Sequence, residues 1–355
     1  MNDNKNTQSN IHIVSGSSIE IFRDRNHTKY SAIKASPYLR AEWKTDRVML
    51  NVLLALTPAI IGSLFFFGIS VIPYYVISIA ACFAGEILCF IIKREKILLD
   101  FSSVVTGTLL AMSIPSSAPL WVPALGGGIG IIIGKQLFGG IGCNFLNPAL
   151  FGRAFLRLVF PVIMTMSVVP NPPFDIPVQV DSVSSATPLA IIKDTGALEN
   201  AYLWDSFIGM IPGKIGETSA VLLLIGAAYL IYKKIIKVRI PLSMIGAIAL
   251  MAVVFGGPDG LFSADIYIVL GHILGGATLL AAFFMATDYS SSPTTTIGEI
   301  IFGAGCGIVA MIFRLWSSMP EGITFAIVIM NVTVPFIDYF IRPRVLGERV
   351  STGNN

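Results

Sequence analysis

The sequence predicts an all-α polytopic membrane protein, with about ten transmembrane helices arranged as two inverted five-helix repeats. Three observations lead there. Only 13% of the 355 residues are charged and 54% are hydrophobic. Soluble domains carry roughly 25% charge, and the mean hydropathy of +0.76 points the same way. Ten apolar stretches divide the chain. Lysine and arginine concentrate in alternate connections between them, as the positive-inside rule requires of a multi-pass protein.

Residues 1–46 are polar and read as a cytoplasmic N-terminal segment. The first apolar run, Val48 to Phe67, is too long and too late for a signal-peptide core, so no cleavable leader is expected. The first repeat, 47–168, holds spans at 47–69, 71–92, 98–114, 119–138 and 148–168. The second, 218–341, holds spans at 218–233, 238–256, 263–287, 297–315 and 321–341. Several fall short of the roughly 20 residues a perpendicular span needs. The third is interrupted by Ser102, Ser103, Thr106 and Gly107 and stops at Pro115. Such broken spans are tolerated where protein buries them or a cavity lies alongside. Gly126, Gly127 and Gly128 in the fourth span allow close helix packing.

The N-terminal segment, the connections carrying Lys93, Arg94 and Lys96 and carrying Lys233, Lys234, Lys237 and Arg239, and the tail 342–355 all fall on one side, the cytoplasm. The long connection 169–217 has only Lys193 and Lys214 against Asp175, Asp181, Asp194, Glu199, Asp205 and Glu217, and is placed outside. Five is odd, so two five-span sets must run in opposite senses. Span three parallels span seven, and Gly142-Cys-Asn-Phe-Leu-Asn-Pro148 parallels Ala286-Thr-Asp-Tyr-Ser-Ser-Ser-Pro293. Inverted repeats usually hold their site at the interface near the midplane.

Intramembrane carboxylates are the ion-pathway candidates: Glu86 in span two, Asp288 closing span eight and Asp338 near the end of span ten. The latter two also fit carboxylates that face cytoplasmic water. Arg153 and Arg157, four apart on one helix face, need an anion or cavity water if they lie in the membrane. His272 reads by default as a packed or hydrogen-bonded imidazole. The four cysteines show no paired metal-ligand spacing and read as packing residues, with no metal site expected. A net charge of +3 without a dense basic block gives no footprint for nucleic acid.

The most informative stretch is Asp181-Ser-Val-Ser-Ser-Ala-Thr187, followed by Pro188. A threonine hydroxyl can be esterified by a phosphoryl group without ionising, and small neighbours leave room for a bulky substituent. Asp181 could position a metal or diphosphate during attachment. The same residues also suit a capped turn before a helix.

This run resembles the pattern Asp-x-x-Ser/Thr-Gly-Ala-Thr of covalent flavin attachment sites, with Ser185 in place of the glycine. Gly134 to Ala149 and Phe284-Met-Ala-Thr-Asp288 resemble the same proteins in the same order, with Tyr289 where a proline often follows. Together they resemble the RnfD/NqrB family of membrane flavoproteins over about residues 36–342. Ser36-Pro37 and the short N-terminal extension are closer to the D-subunit branch, from Rnf complexes, than to the B subunits of sodium-pumping NADH:quinone reductases.

The resemblance implies a component of a translocase in the bacterial cytoplasmic membrane that couples ferredoxin:NAD electron transfer to Na+ or H+ movement and is not active alone. It implies FMN on Thr187 through a phosphoester, with Asp181, Ser185 and Ala186 around it. It allows a second, noncovalent flavin, riboflavin in relatives. Asn144 and Asn147 offer amide groups to a flavin's pyrimidine edge, or a helix cap before Pro148. Partners would be membrane and peripheral subunits, including a second covalent-FMN subunit, and a flavin transferase for maturation. The competing readings are the quinone-reductase B subunit, a small-solute channel or transporter, and a structural scaffold.

Overall fold

The computed structural model describes residues 19–23, 29–33, 45–94, 100–170, 187–198, 200–257, 261–317 and 321–341. The chain divides into two units, Met1–Lys44 and Thr45–Asn355. In the first, strands β1 (Ile19–Arg23) and β2 (Lys29–Ile33) pair antiparallel with Ile21 opposite Ser31. This hairpin is an exception to the all-α expectation. Its first strand begins Ile-Glu-Ile, the start of a period-two alternation.

The described part of the second unit is helical. Its first half contains α1 (Thr45–Phe67), α2 (Ile72–Lys93), α3 (Ser102–Met112), α4 (Trp121–Gly134), α5 (Pro148–Val159) and the short α6 (Pro161–Thr165). Then come α7 (Pro188–Thr195) and α8 (Asn200–Ile208). The second half contains α9 (Ala220–Tyr232), α10 (Arg239–Phe255), α11 (Ile266–Leu274), α12 (Thr278–Leu280) running into a π-turn at Ala281–Met285, α13 (Thr296–Trp316) and α14 (Ile323–Phe340). Every apolar stretch of the sequence holds a helix. Five helical segments, including α1, α13 and α14, are long and apolar enough to cross a membrane, and α11 with α12 and the π-turn forms a sixth span bent by 58°. Helices α3, α9 and α10 are apolar but shorter.

The breaks have local causes. Pro161 has no N–H to continue α5, and Phe160 leaves the helical region at ψ 60°. After α11, Gly275 turns extended and Gly276 takes φ 62°, so the chain changes direction before Thr278. Within the predicted outer connection the chain is not simply a surface loop. Beyond α8, Ile215 donates to the Ile114 carbonyl at 3.2 Å and Gly216 to that of Met112 at 2.7 Å. Lys214 and Ile215 are both buried there, beside the end of α3.

Helix α2 packs on α3 and α4, and α4 on α5; α10 packs on α11 and α13, and α13 on α14. Helix α1 lies against α9, and α5 meets α14. These contacts close on small residues. A Cβ on Gly226 of α9 would overlap the carbonyl of Ala55 on α1, and one on Gly107 of α3 would lie 2.7 Å from the Ile79 Cα on α2. Gly246 of α10 has nothing within 4 Å of a built Cβ.

Gly226→Val is therefore expected to lower stability by about 1–3 kcal/mol by forcing α1 and α9 apart. Gly246→Ala should be neutral or stabilising by up to about 1 kcal/mol. Thermal melting of the detergent-purified protein separates the two; equal melting temperatures would refute the close crossing.

Candidate functional site

A cavity between the two halves gathers several of the residues the sequence singled out. Val48 and Met49 of α1, Ser102 and Thr106 of α3, Lys135, Asn144 and Asn147 line it from the first half; Phe283, Phe284, Thr287 and Asp288 line it from the second. The π-turn helps build this wall. A widened turn shifts helix register by one residue, and here it carries Phe283 and Phe284. The two polar motifs, Gly142 to Pro148 and Ala286 to Pro293, thus face one space although they lie far apart in sequence.

Asn147 caps α5. Its Oδ1 accepts from the N–H groups of Ala149 at 3.0 Å and Leu150 at 3.3 Å. Its Nδ2 donates to the carbonyl of Met285, at 3.0 Å, where the π-turn ends. Asn144 donates to the Leu146 carbonyl at 3.0 Å and remains on the cavity wall.

Asp288 accepts from the hydroxyls of Ser290 at 3.0 Å and Ser291 at 3.2 Å. Asp338 lies elsewhere, in the last turn of α14, where it accepts from the N–H and hydroxyl of Thr294.

Glu86 is 1% exposed and fully engaged. Its Oε1 meets Lys135 Nζ at 2.5 Å and accepts from Gln136 Nε2 at 2.9 Å, while Ser103 donates to Oε2. Lys135 also reaches Ser102 Oγ at 2.6 Å and lies 3.6 Å from Asp100. Sequence reasoning named Glu86 but not Lys135. The available signal was that Lys135 is the sole charged residue between Trp121 and Arg153.

A second buried charge cluster joins α5 to the start of α14. Arg153 meets Glu217 at 2.7 Å and approaches Glu321 to 3.8 Å; Arg157 lies 4.0 Å from Glu321, and Lys214 pairs with Glu321. Arg157 also donates to the Met164 carbonyl at 2.6 Å. The arginines therefore have the carboxylate partners that a membrane position demands. Lys214 and Glu217 read in the sequence as loop charges because nothing local marks them as buried. Burial holds the Lys214 amine well below the usual lysine range, against the pull of Glu217, with Arg153 and Arg157 pushing the same way as burial.

Thr187, half-buried, is the N-cap of α7, and its Oγ1 accepts from the Ala190 N–H at 3.3 Å. Asp181, Ser185 and Ala186 lie outside the described residues. Cys82 and Cys306 are buried and Cys89 half-buried, all three in helices, and Cys143 is exposed.

The profile of the NQR2, RnfD, RnfE family matches residues 32–347. The chain belongs to this family. It is 40% identical over 320 residues to the D subunit of the Na(+)-translocating ferredoxin:NAD(+) oxidoreductase complex of Acetobacterium woodii, covering 89% of this chain and 95% of that one. It is 37% identical over 326 residues to the D subunit of the proton-translocating ferredoxin:NAD(+) oxidoreductase complex of Clostridium ljungdahlii, covering 89% and 96%. With the D subunit of the ion-translocating oxidoreductase complex of Halorhodospira halophila the identity is 36% over 345 residues, covering 90% and 96%. Relatives at nearly equal identity thus bear names with different ions, so overall similarity does not select one.

Lys135→Met should cost about 3–5 kcal/mol by leaving Glu86 buried without its cation. Adding Glu86→Gln should recover most of that loss, a coupling that a double-mutant cycle on thermal or denaturant unfolding detects; simple additivity would refute the pairing.

Proposed function

We propose that this protein is the D subunit of an ion-translocating ferredoxin:NAD oxidoreductase complex, carrying FMN on Thr187 through a phosphoester. The observation that carries the reading is identity of 35–40% along about nine-tenths of the chain with proteins named as the D subunits of such complexes. In that role it works within an assembly in the cytoplasmic membrane, with a flavin transferase for maturation and a second FMN-bearing subunit as electron partner.

The local chemistry fits the attachment. The Thr187 oxygen acts as an acceptor in its cap, so replacing its proton by a phosphoryl group leaves an oxygen that can still accept from Ala190. The phosphoester would then sit at the positive end of α7. Bound there, FMN supplies one- and two-electron transfer, while the protein fixes position and electrostatics. The cavity holding Asn144, Asn147, Asp288 and the two phenylalanines suits a second, noncovalent flavin. Its apolar faces would pack on Phe283 and Phe284, and Asn144 has amide groups to offer.

We read the helical body as ten spans in two inverted repeats with both termini in the cytoplasm. The packing supports it: α2 on α4 corresponds to α10 on α13, α4 on α5 to α13 on α14, and the like pairs α1 with α9 and α5 with α14 meet. In this register span three corresponds to the broken α11–α12 span, not to span seven, and Gly142–Pro148 corresponds to the connection before α14, not to Ala286–Pro293.

Co-expression with a flavin transferase and denaturing electrophoresis tests the attachment. A fluorescent band at the subunit's mass, absent in Thr187→Val, is expected. A dark wild-type band would overturn the reading. Purified complex should reduce NAD with reduced ferredoxin and not require quinone.

A further inference from the structure

A second cavity lies against α7. Leu189, Ile192 and Lys193 of α7 form one wall, and His272 of α11 and Arg314 of α13 form another. Gly276 lets the walls approach, since a Cβ there would lie 2.9 Å from Leu189 Cδ1 and 3.9 Å from Arg314 Nη2.

Two of the polar side chains, His272 and Arg314, are unusual. Both are 3% exposed. Arg314 donates from Nη1 to the His272 carbonyl and from Nη2 to Thr278 Oγ1, each at 2.6 Å, and its Nε has no partner among the described residues. Among the described residues, neither ring nitrogen of His272 has a partner either. Among the described residues no carboxylate pairs with Arg314, whereas Arg153, Lys135 and Lys214 all have one. A buried guanidinium without an anion is costly, and so are unpaired imidazole nitrogens. Such a cost is met when the groups bind something that carries or develops negative charge.

The neighbour that can supply it is the group on Thr187. Leu189 and Ile192 lie about 3 and 8 Å along the helix axis from Thr187, within the span of a ribityl phosphate tether. We propose that this cavity receives the isoalloxazine of the flavin on Thr187, with Arg314 and His272 on its N1–C2=O edge. The inference rests on the attachment reading above. Two-electron reduction, by a reduced flavin or iron–sulfur donor of the same assembly, places one proton on N5 and leaves the negative charge on that edge. Arg314 favours the reduced form and sets the flavin's midpoint potential; charge near N1 is one of the recognised means by which proteins tune flavins.

The test is spectroelectrochemical titration of the assembled complex, taking the difference between each variant and the same variant carrying Thr187→Val, so that only the tethered flavin is read. Arg314→Met should shift the midpoint potential negative, with Arg314→Lys between it and wild type. His272→Leu, which breaks no hydrogen bond of the imidazole ring, should assemble normally and also shift the potential negative. If Arg314→Met does not assemble, Arg314→Lys and His272→Leu decide. A fluorescent subunit band with wild-type potentials in those two variants overturns the pocket assignment and leaves the attachment standing. A wild-type protein with no fluorescent band overturns the attachment itself.

Discussion

At several of the breaks within the apolar body, a side chain takes over a backbone group that the break sets free. Asn147 caps α5 with its oxygen and takes the Met285 carbonyl with its nitrogen. Thr278 accounts for the carbonyls of Gly275 and His272 at the break after α11, and Arg314 adds a second donor to His272. Arg157 takes the Met164 carbonyl beyond the Pro161 break. Tyr74 donates its hydroxyl to the carbonyls of Ser116 and Ala118 after α3. With no water in the hydrocarbon, each such group left unpaired would cost several kcal/mol. Part of the polar inventory of the helices follows from that constraint.

The same residues shape the sites. Broken spans open cavities, and the side chains that mend the breaks line them. Asn147 mends a break and sits on the cavity shared by the two halves. Arg314 mends another and faces the cavity beside α7. The buried ion pairs serve a neighbouring purpose. Lys135 with Glu86 ties α2 to the segment after α4, and Arg153 and Lys214 with Glu217 and Glu321 tie α5, the segment between α8 and α9, and α14. Pairs this deep add little net stability over apolar packing, but removing one partner is expensive, so they fix which elements meet.

How much of this was legible in the sequence depended on whether the signal was local. All ten apolar stretches hold helices because a run of apolar residues is sufficient cause for a helix in a membrane. Thr187, Asn144, Asn147 and Asp288 were legible because they stand in short motifs. Glu86 was legible as an odd carboxylate, but its partner Lys135, 49 residues on, was not. His272 read as a packed imidazole because neither the cavity beside it nor the absence of a partner among the described residues leaves a mark on the surrounding sequence. Lys214 and Glu217 read as surface charges for the same reason.

By itself the sequence determined that the body of the chain is helical and apolar, which ten stretches hold its helices, and which residues carry the family's motifs, since composition, period and motif are properties of neighbouring residues; the breaks inside spans five and eight, and helices α7 and α8, were not read from it. Tertiary structure decided which charges are buried together, that the two polar motifs face one cavity, and that α7 lies over an arginine with which no carboxylate of the described residues pairs. Those facts depend on contacts between segments tens to hundreds of residues apart, and close packing between helices, not local sequence, sets them.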